Sequence, residues 1–150
     1  MKKWILAAFI VMGLTGKAQE IKMDLGNFSR IKVSEGLRVT LTAADFNKAV
    51  ISGTNRKKVK ISEKNGELEI SINVRHLWKE DDTKIILYYK QFQELEARQN
   101  SEIEITGQLK QPILQFNVQE GSEVTANIDV ENLVSKIVTG GTLRLTGTAD

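Results

Sequence analysis

The sequence predicts an all-β protein in which N-terminal β-hairpins lead into a parallel β-helix-like solenoid with coils of about 20 residues. Small-residue turns begin at Asn100, Gly121 and Gly140, and these starts are 21 and 19 residues apart. Short runs of alternating apolar and polar residues flank each turn, as in strands. A period this short is typical of coils that cannot bury their apolar faces alone and therefore stack.

Alignment of these turns predicts which side chains of the solenoid face inward. Ile103, Val124 and Leu143 each stand three residues after the start of a turn. Because successive side chains of a strand point to opposite faces, the neighbouring Glu102 and Arg144 are predicted to face solvent.

Two hairpins are predicted before the coils. Residues 28–33 and 37–41 alternate apolar and polar side chains around Ser34-Glu35-Gly36. A second pair of alternating runs flanks Asn65-Gly66. Asn-Gly supplies the positive φ values of a type I′ turn, so the second hairpin has the more specific signal.

Two further segments of the middle of the chain are predicted to be strands. Residues 85–89 form a continuous apolar run, which is typical of a strand covered on both faces. Residues 92–99 also have good helix propensity, and a short helix competes there. A strand is favoured because Leu95 and Phe116 stand at the same distance before the next turn.

Residues 1–18 have the layout of a secretory signal peptide. Lys2 and Lys3 precede an apolar run of 11 residues from Trp4, and Gly16-Lys17-Ala18 is a small-residue cleavage signal. A membrane-spanning helix needs about 20 residues, so the run is too short to be one. We expect cleavage after Ala18, which leaves residues 19–150 as a single β-solenoid domain or as the front part of a longer repeat domain.

The cysteine count and the net charge limit the cell compartment in which the protein can be expected and the classes of partner that it can bind. The chain has no cysteine, which excludes disulfides, thiolate metal sites, a cysteine nucleophile and lipoprotein anchoring. An exported chain without disulfides favours a Gram-negative envelope: periplasm, outer surface or extracellular space. Without residues 1–18 the net charge is −1, divided into +4 for residues 19–91 and −5 for residues 92–150. This balance gives no support for nucleic-acid binding.

No catalytic, cofactor-binding or metal-binding residue is predicted. His76 is the only histidine and lies in a charged stretch. The run Glu80-Asp81-Asp82 lacks the interleaved spacing of a calcium loop and is interpreted as a solvated loop.

Two pairs of glutamates leave an enzymatic alternative open. Many β-helices cut polysaccharides, and glycosidases use two carboxylates. Glu94/Glu96 and Glu102/Glu104 are nevertheless predicted to face solvent, opposite to their apolar neighbours.

Two groups of residues form the candidate interaction surface: a basic cluster at residues 56–60 and an aromatic cluster at Tyr88 and Tyr89. No aromatic residues interleave with the basic cluster, so protection of an edge strand by lysines is the simpler explanation for it. The aromatic cluster, with Phe92 and Trp78, could form a sugar-stacking platform, although core packing is commoner. The candidate residues are Arg56, Lys57, Lys58, Lys60, Tyr88 and Tyr89.

Four segments resemble a known family. They are Phe28-Ser-Arg-Ile-Lys-Val, Val39-Thr-Leu-Thr, Asn65-Gly-Glu-Leu-Glu-Ile and Gly141-Thr-Leu-Arg-Leu-Thr-Gly-Thr-Ala-Asp. Their order is similar to that in the family described as putative auto-transporter adhesin, head GIN domain, a domain of unknown function in exported proteins of Bacteroidota-like bacteria. The resemblance implies a parallel β-helix-like fold and an envelope location, and it transfers no site residues.

The sequence therefore favours an exported, non-enzymatic, adhesin-like interaction module of the envelope or surface. Its expected partners are a glycan, an envelope or surface protein, or a second copy of the chain, with no nucleic acid, no cofactor and no transmembrane segment in the mature chain. The alternatives are a polysaccharide-acting β-helix enzyme and a purely structural repeat.

Overall fold

The computed structural model describes residues 19–73 and 81–150, which form one mixed sheet of eleven strands. Within these residues there is no α-helix, only a 3₁₀ turn at Arg56–Lys58, so the all-β prediction is confirmed. The strands are β1 (Glu20–Asp24), β2 (Arg30–Val33), β3 (Arg38–Ala43), β4 (Lys48–Ser52), β5 (Val59–Lys64), β6 (Glu67–Ile72), β7 (Lys84–Tyr89), β8 (Glu94–Ala97), β9 (Glu102–Val118), β10 (Glu123–Ile137) and β11 (Thr142–Ala149).

The last three strands stack in parallel with the predicted register. β10 lies between β9 and β11, and Val124 pairs with Ile103 on one side and with Leu143 on the other. Val124 and Ile103 are buried, whereas Leu143 on the last strand is half-buried. The inward row predicted from the turn spacing is confirmed.

The first predicted hairpin is wrong. β2 lies parallel between β6 and β8, and β3 lies parallel between β7 and β9, so the two strands do not pair with each other. Four residues, 34–37, connect them, and the fourth, Leu37, is fully buried. The chain therefore turns a corner into another part of the sheet. The second hairpin is confirmed, because the two-residue Asn65-Gly66 connection makes β5 and β6 antiparallel.

Equivalent corners recur along the chain and stack on one another. Each has two successive residues with positive φ inside a four-residue connection. Gly36 donates its N–H to the Gln99 carbonyl at 2.8 Å, and Asn100 donates to the Glu120 carbonyl at 2.9 Å. The positive-φ pairs are Glu35-Gly36, Gln99-Asn100, Glu120-Gly121 and Thr139-Gly140.

The long strand β9 takes part in both halves of the sheet. Its start pairs with β3 and its end pairs with β8, where Leu95 lies beside Phe116 as predicted. Residues 94–97 are therefore a strand rather than the competing helix. Antiparallel pairs at the outer strands (β1 with β4, β4 with β7, β5 with β6) make the sheet mixed.

Strand β7 is covered on one face only, which corrects the expectation of two covered faces. Ile85, Leu87 and Tyr89 lie in the core, while Ile86 and Tyr88 point outward. Ile86 keeps 37% of its surface exposed, so a continuous apolar run here does not mark a doubly buried strand. No described segment forms a helix long and apolar enough to cross a membrane.

Candidate functional site

The predicted basic cluster lies at one edge of the sheet. Strand β5 is the last in the strand order and pairs only with β6. Lys57, Lys58 and Lys60 are exposed there. Arg56 is held in place instead, because its guanidinium donates to the Gly53 carbonyl at 2.8 Å and to Gln19 Oε1 at 3.0 Å. Lys60 thus stands on the exposed edge strand β5, and Lys57 and Lys58 stand in the 3₁₀ turn just before it, where charge discourages sheet-to-sheet pairing.

The predicted aromatic residues are divided between the two faces of β7. Tyr89 is buried, its ring centroid lies 5.0 Å from that of Phe92 in an edge-on contact, and burial raises the pKa of its hydroxyl. Tyr88 faces outward and packs on Phe46 at 5.5 Å. Trp78 lies outside the described residues. Tyr88 and Tyr89 therefore do not form one stacking platform, and sequence reasoning missed Phe46.

The glutamates of β8 and β9 lie on the outer face, as predicted. Asn117 Nδ2 donates to Glu94 at 2.9 Å, and Gln119 Nε2 donates to Glu96 at 3.0 Å. The exposed Glu102 lies 3.4 Å from the Arg38 guanidinium. Through these contacts, Glu94, Glu96 and Glu102 each bind a side chain from a neighbouring strand or from the connection that follows it.

The two aspartates of the predicted acidic loop connect the loop to residues 54 and 55, a role that their interpretation as a solvated loop missed. Asp82 Oδ1 accepts from the Thr54 N–H at 2.8 Å, and Asp81 Oδ2 accepts from Asn55 Nδ2. Asp81 Oδ1 also accepts from the Thr83 N–H within the loop at 2.7 Å. Burial raises the pKa of Asp81, but hydrogen bonds from Thr83 and Asn55 outweigh it and leave the pKa below its usual value.

The neighbouring aspartate is shifted in the same direction. Hydrogen bonding by Thr54 lowers the pKa of Asp82, so both carboxylates are stabilised in the charged form. His76 and Glu80 lie outside the described residues. No group of acidic side chains or histidines in the described ranges is arranged to hold a metal ion.

A cleft of about 580 Å³ lies where the connection from β7 to β8 passes the middle of β9. We call it the glutamine cleft. Its floor is formed by the core side chains Phe28, Tyr89, Phe92 and Leu109. Sequence reasoning missed it because its two main segments, 90–93 and 108–113, lie far apart in the sequence.

The rim of the glutamine cleft is polar and basic. Gln91, Gln93 and Gln108 are exposed on it, together with Lys90 and Lys110. Among the described residues, no aspartate or glutamate lines the cleft. The rim therefore offers amides and ammonium groups, beside the exposed apolar side chains of Pro112 and Ile113, over an apolar floor.

An irregularity of β9 positions one side of this rim. The register of β9 against β10 shifts between Thr125 and Asn127. Gly107 stands at this shift with φ of 69°, a conformation that strongly favours glycine. Beyond it, Gln111 Nε2 donates to the Phe92 carbonyl at 2.8 Å and ties the two lining segments together.

The fold and the cleft define a class of all-β protein in which parallel strands recur along the chain and expose a polar surface. Within that class, the model of the family described as putative auto-transporter adhesin, head GIN domain, matches residues 27–150. The chain therefore belongs to this family, as its sequence resemblance implied.

Solved structures agree on the fold. A putative adhesin from Bacteroides fragilis is similar with a TM-score of 0.79 and 16% identity, over 90% of this chain and 65% of that one. A putative adhesin from Parabacteroides merdae has a TM-score of 0.78 and 17% identity, over 91% and 59%. A putative lipid binding protein from Parabacteroides distasonis has a TM-score of 0.61 and 14% identity, over 91% and 69%.

The chain thus spans less than two thirds of the length of the first two structures. At these identities the likeness establishes the fold alone. No match was found among curated protein sequences.

Proposed function

We propose that the chain is an exported, non-catalytic, adhesin-like interaction module of the cell envelope or surface, built as a β-solenoid. Its membership of an adhesin-named family supports the class of function. The solenoid interpretation is supported by the parallel pairing of β9, β10 and β11 and by the stacked corners.

The observation that carries the proposal is a continuous polar row across the outer face of the sheet. Glu69, Lys32, Glu96, Asn117 and Lys136 are register partners on five adjacent strands. Backbone pairing holds this row in a fixed order. A preorganised row of charged and polar side chains suits recognition of a partner better than it suits chemistry, which needs a water-excluding site.

The outer glutamates support binding over polysaccharide cleavage. Glu94 and Glu96 stand on that face with amide partners from Asn117 and Gln119. A glycosidase places two carboxylates on either side of the scissile bond. Among the described residues, Glu96 is the one carboxylate that lines the cleft of about 280 Å³ beside Asn117 and Lys136, so this cleft offers one acid rather than two.

The location is proposed from residues 1–18. We propose that they direct export and are removed after Ala18, which places the protein in the periplasm, on the outer surface or outside a Gram-negative cell. Mass spectrometry of exported material then finds Gln19 at the amino terminus. Retention of Trp4 in the exported protein would contradict the assignment.

An array of glycans and envelope or surface proteins tests the binding role. The exported protein is expected to bind at least one glycan, surface protein or second copy of itself, with weaker binding at higher salt because exposed charges are screened beyond about 8 Å at physiological ionic strength. Failure to bind any member of such a panel, at low or high salt, would leave the purely structural repeat as the better account.

A further inference from the structure

We propose that the glutamine cleft binds a carboxylated oligosaccharide. This inference rests on the proposed binding function and names the class of ligand and its site. It is carried by three properties of the cleft: the sign of its charge, the chemistry of its rim and the burial of its floor.

The cleft is a basic site. Lys90 and Lys110 line it, and no described residue that lines it is acidic. Lys110 Nζ lies 3.6 Å from Asp129 and is partly neutralised. Within the described part of the chain, the ammonium of Lys90 has no ion pair, while its backbone N–H donates to Asn47 Oδ1 at 2.8 Å. The cleft thus offers a positive charge on a fixed segment, which favours an anion.

The amides of the rim favour a ligand with many hydroxyl groups. Gln91, Gln93 and Gln108 are exposed, and each carboxamide both donates and accepts hydrogen bonds. A sugar ring presents hydroxyls that do the same. A simple anion would use only the donors, so three glutamines around one cleft match a polyhydroxylated acid better than an inorganic ion.

The apolar surface of the cleft suits a sugar acid better than a fatty acid. Phe92, Tyr89 and Leu109 on its floor are 1%, 3% and 5% exposed, whereas Ile113 on its rim is 53% exposed. The apolar surface left to cover is therefore a short stretch at the rim, which matches the C–H face of a sugar ring better than the length of an acyl chain. The volume of about 580 Å³ lies within the usual range of small-ligand sites.

Calorimetric titration of the exported protein tests the ligand class. The probes are oligogalacturonate, alginate, hyaluronan and polysialic acid, with fully methyl-esterified oligogalacturonate, poly-aspartate and palmitate as comparisons. We expect at least one carboxylated glycan to bind. If oligogalacturonate binds, its ester should bind about tenfold more weakly because the charge is lost. Poly-aspartate and palmitate should bind more weakly than the glycan.

Several outcomes of this titration would overturn the inference. They are no binding of any carboxylated glycan, equal binding of oligogalacturonate and its methyl ester, binding of poly-aspartate as tight as that of the glycan, and preferential binding of palmitate. The last two would indicate a general anion site and a lipid site respectively.

Two variants locate the ligand, with a matched control elsewhere. Lys90→Gln and the double variant Q91A/Q93A should each weaken binding of the glycan about tenfold. Lys64→Gln removes the same charge from the exposed end of β5 and should leave the affinity unchanged. Unaltered thermal unfolding of the three proteins shows that the fold is kept.

These variants also separate the two proposals. If both cleft variants bind the glycan like the unmodified protein, the cleft is not the site, although the protein still binds as proposed. If the unmodified protein binds nothing on the array described above, the binding function itself is wrong.

Discussion

The backbone N–H of Ser101 donates a 3.0 Å hydrogen bond to Oγ of Ser122, which stands 21 residues further along the chain, and both serines are fully buried. Ser101 Oγ in turn donates to the Arg98 carbonyl at 2.7 Å. Each serine is the last residue of a four-residue corner. A small polar side chain at this place therefore joins successive corners within the core.

Replacement of Ser122 by alanine should destabilise the protein, because the buried Ser101 amide keeps only its longer bond of 3.3 Å to the Arg98 carbonyl. We expect the free energy of unfolding to fall by about 1–3 kcal/mol. Ser62→Ala on the exposed edge strand should change it by less than about 0.5 kcal/mol. Chemical denaturation measures both, and equal small effects would show that the corner bond does not contribute to stability.

A charge placed in the inward row should be far more damaging than one placed beside it. Val124→Asp buries an unpaired carboxylate and should lower the free energy of unfolding by several kcal/mol, about 3–5. Thr125→Asp faces solvent between Glu104 and Arg144 and should change it by about 0.5 kcal/mol or less. Similar losses at the two positions would mean that the strands are shifted by one residue.

Stability should fall in acid because of the loop at Asp81 and Asp82. Hydrogen bonds hold the pKa of both carboxyls below the usual value near 3.8. A group with a depressed pKa in the folded state contributes stability above its unfolded pKa, and this contribution is lost as pH falls through the folded pKa. The double variant D81N/D82N removes the titration, so its thermal unfolding should depend less on pH below about 4. An unchanged pH profile would contradict this role.

Two variants of the basic edge distinguish protection of a strand from recognition of a partner. Changing Lys57, Lys58 and Lys60 to Glu keeps the edge charged, so it should keep the protein dispersed while weakening any salt-dependent binding of an anionic partner. Changing the same lysines to Thr should increase self-association, measured by light scattering. No change in either variant would show that these exposed side chains serve neither purpose.

The sequence predicts the last three strands better than the earlier ones, for a physical reason. Val124 can be aligned with Ile103 and Leu143 because parallel pairing gives the same environment to each of these three strands. The corner at Glu35-Gly36 resembles a hairpin in sequence because alternating runs flank a short turn-forming segment on both sides. Only the length of the connection, four residues rather than two, distinguishes the corners from Asn65-Gly66.

The candidate site is harder to predict from the sequence than the fold is. Tyr88 and Tyr89 are adjacent in sequence, yet the alternation of a strand sends them to opposite faces. Lys90 and Lys110 are separated by 20 residues and share one cleft because Lys90 precedes β8, which pairs in parallel with the end of β9, the strand that contains Lys110. The spacing of the two lysines, close to the 19 to 21 residues between turns, was therefore visible in the sequence. The turn residues alone do not indicate which of the connecting segments leave space for a ligand.

Recovery of a retained ligand tests the central claim, binding without catalysis, most directly. The exported protein is immobilised, loaded with the glycans of the array in solution, washed and eluted at high salt, and the eluted ligand is weighed by mass spectrometry. We predict a retained glycan whose mass equals that of the glycan applied. Shortened oligosaccharides in the eluate, absent when the protein is heat-denatured, would contradict the account and identify a polysaccharide-acting enzyme.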